Sequence, residues 1–203
     1  MGTQDGHYFA RRPGSRSAPG EVEVRLPELS FTLATDAGVF SRQQLDPGTR
    51  VLLEHMPLPG GDGEVLDLGC GYGPIAIALS RLRPANRVWA VDVNTRALDL
   101  VRRNAAALGA PNLVASAPED VPADIRFSLL YSNPPIRIGK PALHELLLGW
   151  LPRLTPEGRG YLVVQRNLGA DSLAAWLIGQ GYPTKRIASQ RGYRVFEVAA
   201  GEG

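Results

Sequence analysis

Cysteine is nearly absent from this sequence: Cys70 is the only one in 203 residues, which excludes an intramolecular disulfide and a zinc site built from clustered cysteines. There is no run of about 18 apolar residues, so no transmembrane helix is expected. The first 20 residues lack the apolar stretch of a secretory signal, and Gly6 stands where N-myristoylation needs Ser or Thr. These absences predict a cytoplasmic protein without a membrane anchor.

Net charge is also small, at +2, and lysine is scarce, with two lysines against 20 arginines. The charge is unevenly spread: residues 131–203 carry nine basic and five acidic side chains, whereas 1–60 and 61–130 each have a net charge of −1. A basic last third permits contact with a polyanion such as RNA. On charge alone, random variation of the surface explains the asymmetry equally well.

What the sequence does have is an ordinary globular composition, with 44% hydrophobic and 21% charged residues. Residues 1–60 are predicted to form an extension in which two short strand-like runs, VEVRL and LSFTLA, precede one helix. Asp46 and Pro47 have the residue types of a helix N-cap and first helical position. A Pro- and Gly-rich linker follows the helix, so we place the main domain at 61–203.

From residue 64 the chain alternates between short Val-, Ile- and Leu-rich runs and helical patterns. The strongest helical pattern, TRALDLVRRNAAALG, has Thr95 as its expected N-cap and Gly109 just past its end. The last two strand-like runs are joined at Arg191-Gly192 with no helix between them. This order predicts a doubly wound α/β domain with a mostly parallel sheet and a C-terminal antiparallel hairpin.

A glycine-rich turn follows the first strand of this domain, where EVLDLG continues into Gly69-Cys70-Gly71-Tyr72-Gly73 and a helix. Glycines let the backbone approach a ligand closely. Pro74 stands where a dinucleotide fingerprint has Gly or Ala. Asp67, just before the turn, would repel a pyrophosphate but suits a cationic amino group. The alternative is a tight turn that has only a structural role.

An acidic residue ends the second strand of the domain, VWAVDV, where Asp92 lies 19 residues beyond Gly73. A carboxylate at that place can accept hydrogen bonds from both ribose hydroxyls of a bound nucleoside. The alternative is a helix-capping or surface aspartate.

The fourth strand, IRFSLLYS, ends in Asn133-Pro134-Pro135-Ile136. Two prolines fix the turn and remove two N–H donors, which leaves carbonyl groups exposed. The Asn133 side-chain oxygen and the Pro134 carbonyl can then accept hydrogen bonds from a planar amine and hold it for attack on an electrophile. Taken alone, Asn-Pro-Pro is also a common turn.

Together, DLGCGYG, VDV and NPPI resemble the motifs of class I S-adenosylmethionine-dependent methyltransferases. More narrowly, the sequence resembles the small-domain group of ribosomal RNA guanine-N2 methyltransferases. That resemblance includes TDAGVFSRQQLDPGTRVLLE (35–54), NPPIRIGKPALHE (133–145) and GYRVFEV (192–198). It implies a seven-stranded Rossmann-like sheet with a short N-terminal β/α extension, S-adenosylmethionine as cofactor, and methylation of guanine N2 in ribosomal RNA or a ribosomal particle.

The resemblance also implies roles for individual residues: the glycine turn holds the methionine part of the cofactor, and Asn133 and Pro134 are catalytic because they hold the target amine. The implied cofactor-binding residues are Asp67, Gly69, Cys70, Gly71, Gly73, Asp92, Val93, Ser116 and Asn133. The predicted substrate-binding residues are Phe40, Pro135, Ile136, Arg137 and Lys140. Arg137 and Lys140 are predicted from their place just after the amine motif, where they would contact phosphate groups at the mouth of the site; the alternative is a solvated loop. Phe40 and Ser41 are implied to lie close to the cofactor or the entering base.

Two departures from the family pattern are visible. Ile136 stands where many DNA and protein amino-methylating enzymes have an aromatic residue that stacks on the target. After the third strand the usual acid that reads the adenine amino group is missing. Ser116, a backbone carbonyl, Glu119 or Asp120 are the alternatives for that contact.

Two rival functions remain compatible with the sequence. The first is methylation of an amino group on a protein or small molecule, which the small net charge allows. The second is a non-catalytic RNA-binding or cofactor-sensing module, because a fold does not fix a function. No metal site is predicted.

Overall fold

The structure is a computed structural model that describes residues 15–201. Its N-terminal part is an antiparallel hairpin of β1 (Gly20–Arg25) and β2 (Ser30–Thr35). The main sheet contains β3 (Glu64–Leu68), β4 (Arg87–Val91), β5 (Leu113–Ser116), β6 (Phe127–Ser132), β7 (Leu154–Gln165), β8 (Thr184–Gln190) and β9 (Tyr193–Ala199). The helices are α1 (Pro47–His55), α2 (Pro74–Leu82), α3 (Thr95–Leu108), α4 (Lys140–Trp150) and α5 (Ala170–Gly179).

The main sheet has the strand order β5-β4-β3-β6-β7-β9-β8 in the part of the chain that is described. Strands β3 to β7 are parallel, and β9 pairs antiparallel with both β7 and β8. The predicted doubly wound, mostly parallel seven-stranded sheet with a C-terminal antiparallel hairpin is therefore confirmed. The strand order reverses between β3 and β6, which is where ligands bind in sheets of this kind.

Both faces of the sheet are covered. On one face, the hairpin and α1 to α3 pack into a single apolar core, which includes Val24, Leu33, Leu52 and Ile77. On the other face, α4 and α5 pack over side chains such as Leu162. Burial on both sides explains why the strands are continuous Val-, Ile- and Leu-rich runs. The domain boundary near residue 60 stays a prediction.

The ends of the helices follow local side-chain chemistry. Asp46 caps α1 as predicted, because its Oδ1 accepts a hydrogen bond from the backbone N–H of Thr49 at 2.8 Å. The prediction of Thr95 as the cap of α3 was wrong by one residue. Asn94 is the cap, because its backbone is extended and its side-chain oxygen accepts hydrogen bonds from the first turn. Gly109 ends α3 in the left-handed conformation, as expected (φ 64°).

No helix among residues 15–201 is both long enough and apolar enough to cross a bilayer.

Asn104, a buried residue of α3, joins the hairpin to the glycine turn. Its Oδ1 accepts from the Ala34 N–H at 2.8 Å, and its Nδ2 donates to the carbonyls of Ala34 and Tyr72 at 3.1 and 3.0 Å. Asn104→Ala should lower the free energy of unfolding by about 2–3 kcal/mol, because it leaves buried backbone groups without partners. Urea denaturation measures this. The neighbouring exposed variant Arg103→Ala should change stability by less than about 0.5 kcal/mol, and equal effects of the two would contradict the role of Asn104.

Candidate functional site

The carboxyl ends of four neighbouring parallel strands meet at one edge of the main sheet. The glycine turn follows β3, Asp92 follows β4, Ser116 ends β5 and Asn133 follows β6. The structure thus brings together the sequence motifs that lie far apart along the chain, at the point where the strand order reverses.

The three glycines of the turn all have left-handed backbones, with φ of 73°, 55° and 94° at Gly69, Gly71 and Gly73. A Cβ at Gly69 or Gly71 would meet no other atom within 4 Å, so there the backbone conformation alone favours glycine. At Gly73 a Cβ would also lie 3.1 Å from the Val101 side chain of α3. The turn is therefore open on the side of its first two glycines and packed at the third.

Asp67 is completely buried at the end of β3. Its Oδ2 accepts a hydrogen bond from the Ala76 N–H of α2 at 2.9 Å, while its Oδ1 has no partner. Burial raises the pKa of this carboxyl to about 8, and the nearby Asp92 adds to that rise. A buried, unpartnered carboxylate oxygen is costly in free energy. A cationic amino group beside the glycine turn would relieve that cost, so Asp67 fits the ammonium of a bound methionine moiety.

Asp92 connects the glycine turn to the end of β4 through hydrogen bonds to backbone N–H groups. Its Oδ2 accepts from the Gly71 N–H and its Oδ1 from the Asn94 N–H, each at 2.9 Å. Burial raises the pKa of Asp92, while these backbone hydrogen bonds lower it. The Val93 N–H also contacts this carboxylate. A carboxylate has about four acceptor sites, so an acceptor remains for the predicted contact with the ribose.

The residues after β5 do not single out one adenine contact. Ser116 is buried and its hydroxyl donates to the Ala117 carbonyl at 3.0 Å, which leaves the oxygen lone pairs to accept. Glu119 and Asp120 are exposed in a short 3₁₀ turn. Ser116 and the exposed Val93 stay predictions for cofactor contacts. Among residues 15–201, no group of three His, Cys, Asp or Glu side chains is arranged to hold a metal ion.

The Asn-Pro-Pro turn holds its asparagine by the amide nitrogen. The Nδ2 of Asn133 donates to Asp46 Oδ1 at 2.7 Å and to Thr49 Oγ1 at 3.0 Å. The Pro134 carbonyl accepts from the Ile136 N–H at 2.8 Å, which closes a tight turn and leaves one lone pair. The Asn133 Oδ1 and the second lone pair of the Pro134 carbonyl are thus the acceptors left for an amine.

Four residues of this neighbourhood were not predicted from the sequence as part of the site. Asp46 was predicted only as a helix cap, and Thr49 was not singled out. Tyr72, inside the glycine turn, has a buried hydroxyl with no hydrogen-bond partner among the described residues. The ring of Tyr193 from β9 packs against the start of α1, at Gly48. Burial raises the pKa values of both tyrosines, and the nearby Asp46 adds to that rise.

The predicted substrate-binding residues lie on two segments of the chain. Phe40 is 43% exposed on the loop that Asn94 anchors, through a 2.9 Å hydrogen bond from its Nδ2 to the Gly38 carbonyl. Arg137 and Lys140 are exposed after the Asn-Pro-Pro turn. Ile136 and Lys140 line a cavity of about 240 Å³ between α4, α5 and the end of β7. Pro135 and Ser41 are half-buried.

Tyr72→Phe should raise the free energy of unfolding of the cofactor-free protein by about 1 kcal/mol, because it removes a buried hydroxyl that has no partner. Tyr131→Phe is the matched control: that hydroxyl donates to the Pro57 carbonyl at 2.6 Å, so its removal should destabilise the protein by a similar amount. Urea denaturation of both variants measures the difference in sign. Loss of stability in Tyr72→Phe would show that the hydroxyl has a partner.

Comparison with known proteins finds one matching family and several relatives. The family model described as "methyltransferase small domain" matches residues 30–197. The protein YbxB of Bacillus subtilis (strain 168) is 30% identical over 194 residues, which cover 94% of this chain and 96% of YbxB. Ribosomal RNA small subunit methyltransferase C of Shewanella amazonensis is 29% identical over 191 residues, 92% of this chain and 54% of that protein.

Among solved structures, the fold is similar to that of the Thermus thermophilus 16S rRNA N2 G1207 methyltransferase (RsmC) in complex with AdoMet and guanosine. The TM-score is 0.76 at 23% sequence identity, over 91% of this chain and 51% of that one. The chain thus spans about half the length of these named ribosomal RNA methyltransferases.

Proposed function

Because the chain belongs to the methyltransferase small domain family, we propose that it transfers the methyl group of S-adenosylmethionine to an exocyclic amine, guanine N2 of ribosomal RNA. S-adenosylmethionine-dependent methyl transfer is the activity of the family. What we propose beyond that activity is the identity of the methyl acceptor. The observation that carries it is the state of Asn133: both hydrogen bonds of its amide nitrogen are made within the protein, so its carbonyl oxygen is left to accept from an amine.

The cofactor would be held along the carboxyl ends of β3, β4 and β5. Asp67 would pair with the ammonium of its methionine part, Gly69 and Gly71 would leave room for it, and Asp92 would accept from its ribose hydroxyls. When bound, S-adenosylmethionine supplies a methyl group on a positively charged sulfur, which an amine attacks in line with release of S-adenosylhomocysteine. The buried, unpartnered Oδ1 of Asp67 supports this placement.

The target amine would be held by two acceptors on the Asn-Pro-Pro turn. Asn133 Oδ1 and the Pro134 carbonyl each accept one N–H of the amine, and this fixes the direction of the nitrogen lone pair. No strong base is needed, because the proton can leave to water after the attack. The holding groups belong to a turn closed by its own backbone hydrogen bond, so they are in place before substrate arrives.

Three observations support RNA over a protein acceptor. Basic side chains outnumber acidic ones by nine to five in residues 131–203, and Arg137 and Lys140 are exposed just after the amine-holding turn, where phosphate contacts would position a nucleic acid. Several named sequence relatives, which match 92% to 75% of this chain, are ribosomal RNA small subunit methyltransferases. A paired guanine would have to leave the duplex to reach the Asn-Pro-Pro turn.

A ribosomal acceptor would place the protein in the cytoplasm.

The test is to map modified nucleosides in ribosomal RNA from strains with and without the gene. We expect one N2-methylguanine to disappear with the gene and to return when purified protein and S-adenosylmethionine are added to RNA or ribosomal particles. A methyl label that enters only the protein or small-molecule fraction would overturn the proposal in favour of another amino group. Cofactor binding without any methyl transfer would favour a sensing module.

A further inference from the structure

The amide nitrogen of Asn133 faces two oxygen acceptors on the first turn of α1. Asp46 Oδ1 lies 2.7 Å from Nδ2 and Thr49 Oγ1 lies 3.0 Å from it. A carboxylate oxygen only accepts hydrogen bonds, so it cannot bond the carbonyl end of an amide. The contact with Asp46 therefore decides which end of the Asn133 side chain points into the protein and which end points away.

The choice matters because the two ends of an amide have nearly the same shape and opposite hydrogen-bonding character. If the amide were flipped, its NH₂ group would face the target amine, and two donors would oppose each other. Asn133 Oδ1 would then face Asp46, where two oxygens without a proton between them repel. Both effects favour the observed orientation, and both depend on Asp46.

Asp46 is itself fixed by the start of α1. The same Oδ1 that accepts from Asn133 also accepts from the Thr49 N–H at 2.8 Å, as a helix cap does. The next residue, Pro47, restricts the backbone. Gly48 lets the turn close, since a Cβ there would lie 3.0 Å from Asp46 Oδ1 and 2.8 Å from Cε1 of Tyr193. The close packing at the start of α1 therefore fixes the position of Asp46 Oδ1.

We propose that Asp46 and Thr49 are positioning residues, which hold the amide of Asn133 in the one orientation that presents its carbonyl oxygen to the acceptor amine. This rests on the proposed function, in which Asn133 Oδ1 accepts from that amine. Asp46 thus has two roles through one atom: it caps α1 and it orients the amide on a strand end 87 residues later in the chain. Neither residue is required to touch the cofactor or substrate.

Asp46→Ser separates the two roles. Serine is as good an N-cap as aspartate, so the melting temperature should stay within about 3 °C of the wild type. Its shorter side chain does not reach Asn133, so kcat should fall about 10- to 100-fold through loss of orientation. The KM for RNA and the Kd for S-adenosylmethionine should change less than about threefold, because their contacts lie elsewhere.

Thr49 gives a matched pair of variants. Thr49→Val has nearly the same shape but no acceptor oxygen, and kcat should fall about 3- to 10-fold. Thr49→Ser keeps the hydroxyl and should recover most of that loss. As an independent variant, Gly48→Ala inserts a Cβ against Asp46 and Tyr193, and its kcat should fall as in Asp46→Ser even though alanine is a better helix former.

A second readout does not depend on the acceptor. In protein labelled with ¹⁵N-asparagine, the side-chain NH₂ signal of Asn133, identified by its absence in Asn133→Ala, should be protected from hydrogen exchange in the wild type and lose protection in Asp46→Ser. Equal protection in both, or full kcat in Asp46→Ser, would overturn the positioning role. If the NH₂ signal behaves as expected but the wild type methylates no RNA, the positioning role stands and the proposed acceptor fails.

Discussion

Asn133→Ala is expected to lower kcat for methyl transfer to RNA by about 10²- to 10³-fold, the usual effect of removing one preorganised group that holds the reacting atoms. The variant removes the carbonyl oxygen that accepts from the amine but leaves Asp67, Asp92 and the glycine turn in place. Although the resemblance also implies a contact of Asn133 with the cofactor, most of the cofactor contacts remain, so the Kd for S-adenosylmethionine should stay within about threefold of the wild-type value. Single-turnover transfer of labelled methyl and titration calorimetry measure the two quantities.

The control is Asp99→Ala, on the exposed face of α3, where the side chain pairs with Arg102 in solvent. It should keep full activity. If Asn133→Ala bound cofactor normally and also kept full methyl transfer, the amine-holding role of the Asn-Pro-Pro turn would be wrong.

Asp67→Asn should weaken S-adenosylmethionine binding by about 10²- to 10³-fold, because it leaves the ammonium of the cofactor without its buried counter-charge. Asparagine has the same shape, and its side-chain oxygen can still accept from the Ala76 N–H. The loss should therefore appear in Kd with little change in secondary structure, as measured by calorimetry and circular dichroism. An unchanged Kd would mean that the ammonium is held elsewhere.

The same residue makes the cofactor-free protein sensitive to pH. The pKa of Asp67 is about 8 in the folded state and near 3.8 when unfolded, so between these values the folded state binds the extra proton. The free energy of unfolding should thus fall as pH rises through that window, by up to about 1.4 kcal/mol per pH unit. Below and above this pH window, Asp67 does not change how the free energy of unfolding depends on pH.

The asparagine side chain of the Asp67→Asn variant does not titrate, so the free energy of unfolding of this variant should not show the fall with pH that Asp67 causes. Urea denaturation of both proteins between about pH 4 and 8 should show a difference that grows with pH in favour of the variant. Parallel pH profiles would show that the carboxyl of Asp67 ionises normally in the folded state.

The parts of the site that the sequence predicted are those that local chemistry defines. Glycines with left-handed backbones, an acid at a strand end and two consecutive prolines each restrict their own neighbourhood, and the alternating pattern of strands and helices places them at one edge of the sheet. Their assignment to cofactor and amine stays a prediction. The cap of α3 was misplaced by one residue because Asn94 and Thr95 are both good capping residues, and only the backbone conformation separates them.

The parts that were missed depend on contacts between distant segments. An aspartate that caps a helix gives no sign in the sequence that its oxygen also contacts a distant side chain. The contact between Asp46 and Asn133 was therefore not predicted. Nothing near Tyr193 in the chain indicates that its ring will pack against Gly48. Tyr72 lies within a predicted motif, yet its buried and unpartnered hydroxyl is visible only after the strands are assembled.

The place of β9 in the sheet has a consequence for how the protein is made. This strand is the last of the described elements to be synthesised, yet it lies inside the sheet between β7 and β8. While the nascent chain is still leaving the ribosome, β7 has an unpaired edge of the kind that favours aggregation. A polypeptide that stops within β8 would contain the cofactor and amine motifs, but it would lack β9, so the edge of β7 would stay unpaired and open to aggregation.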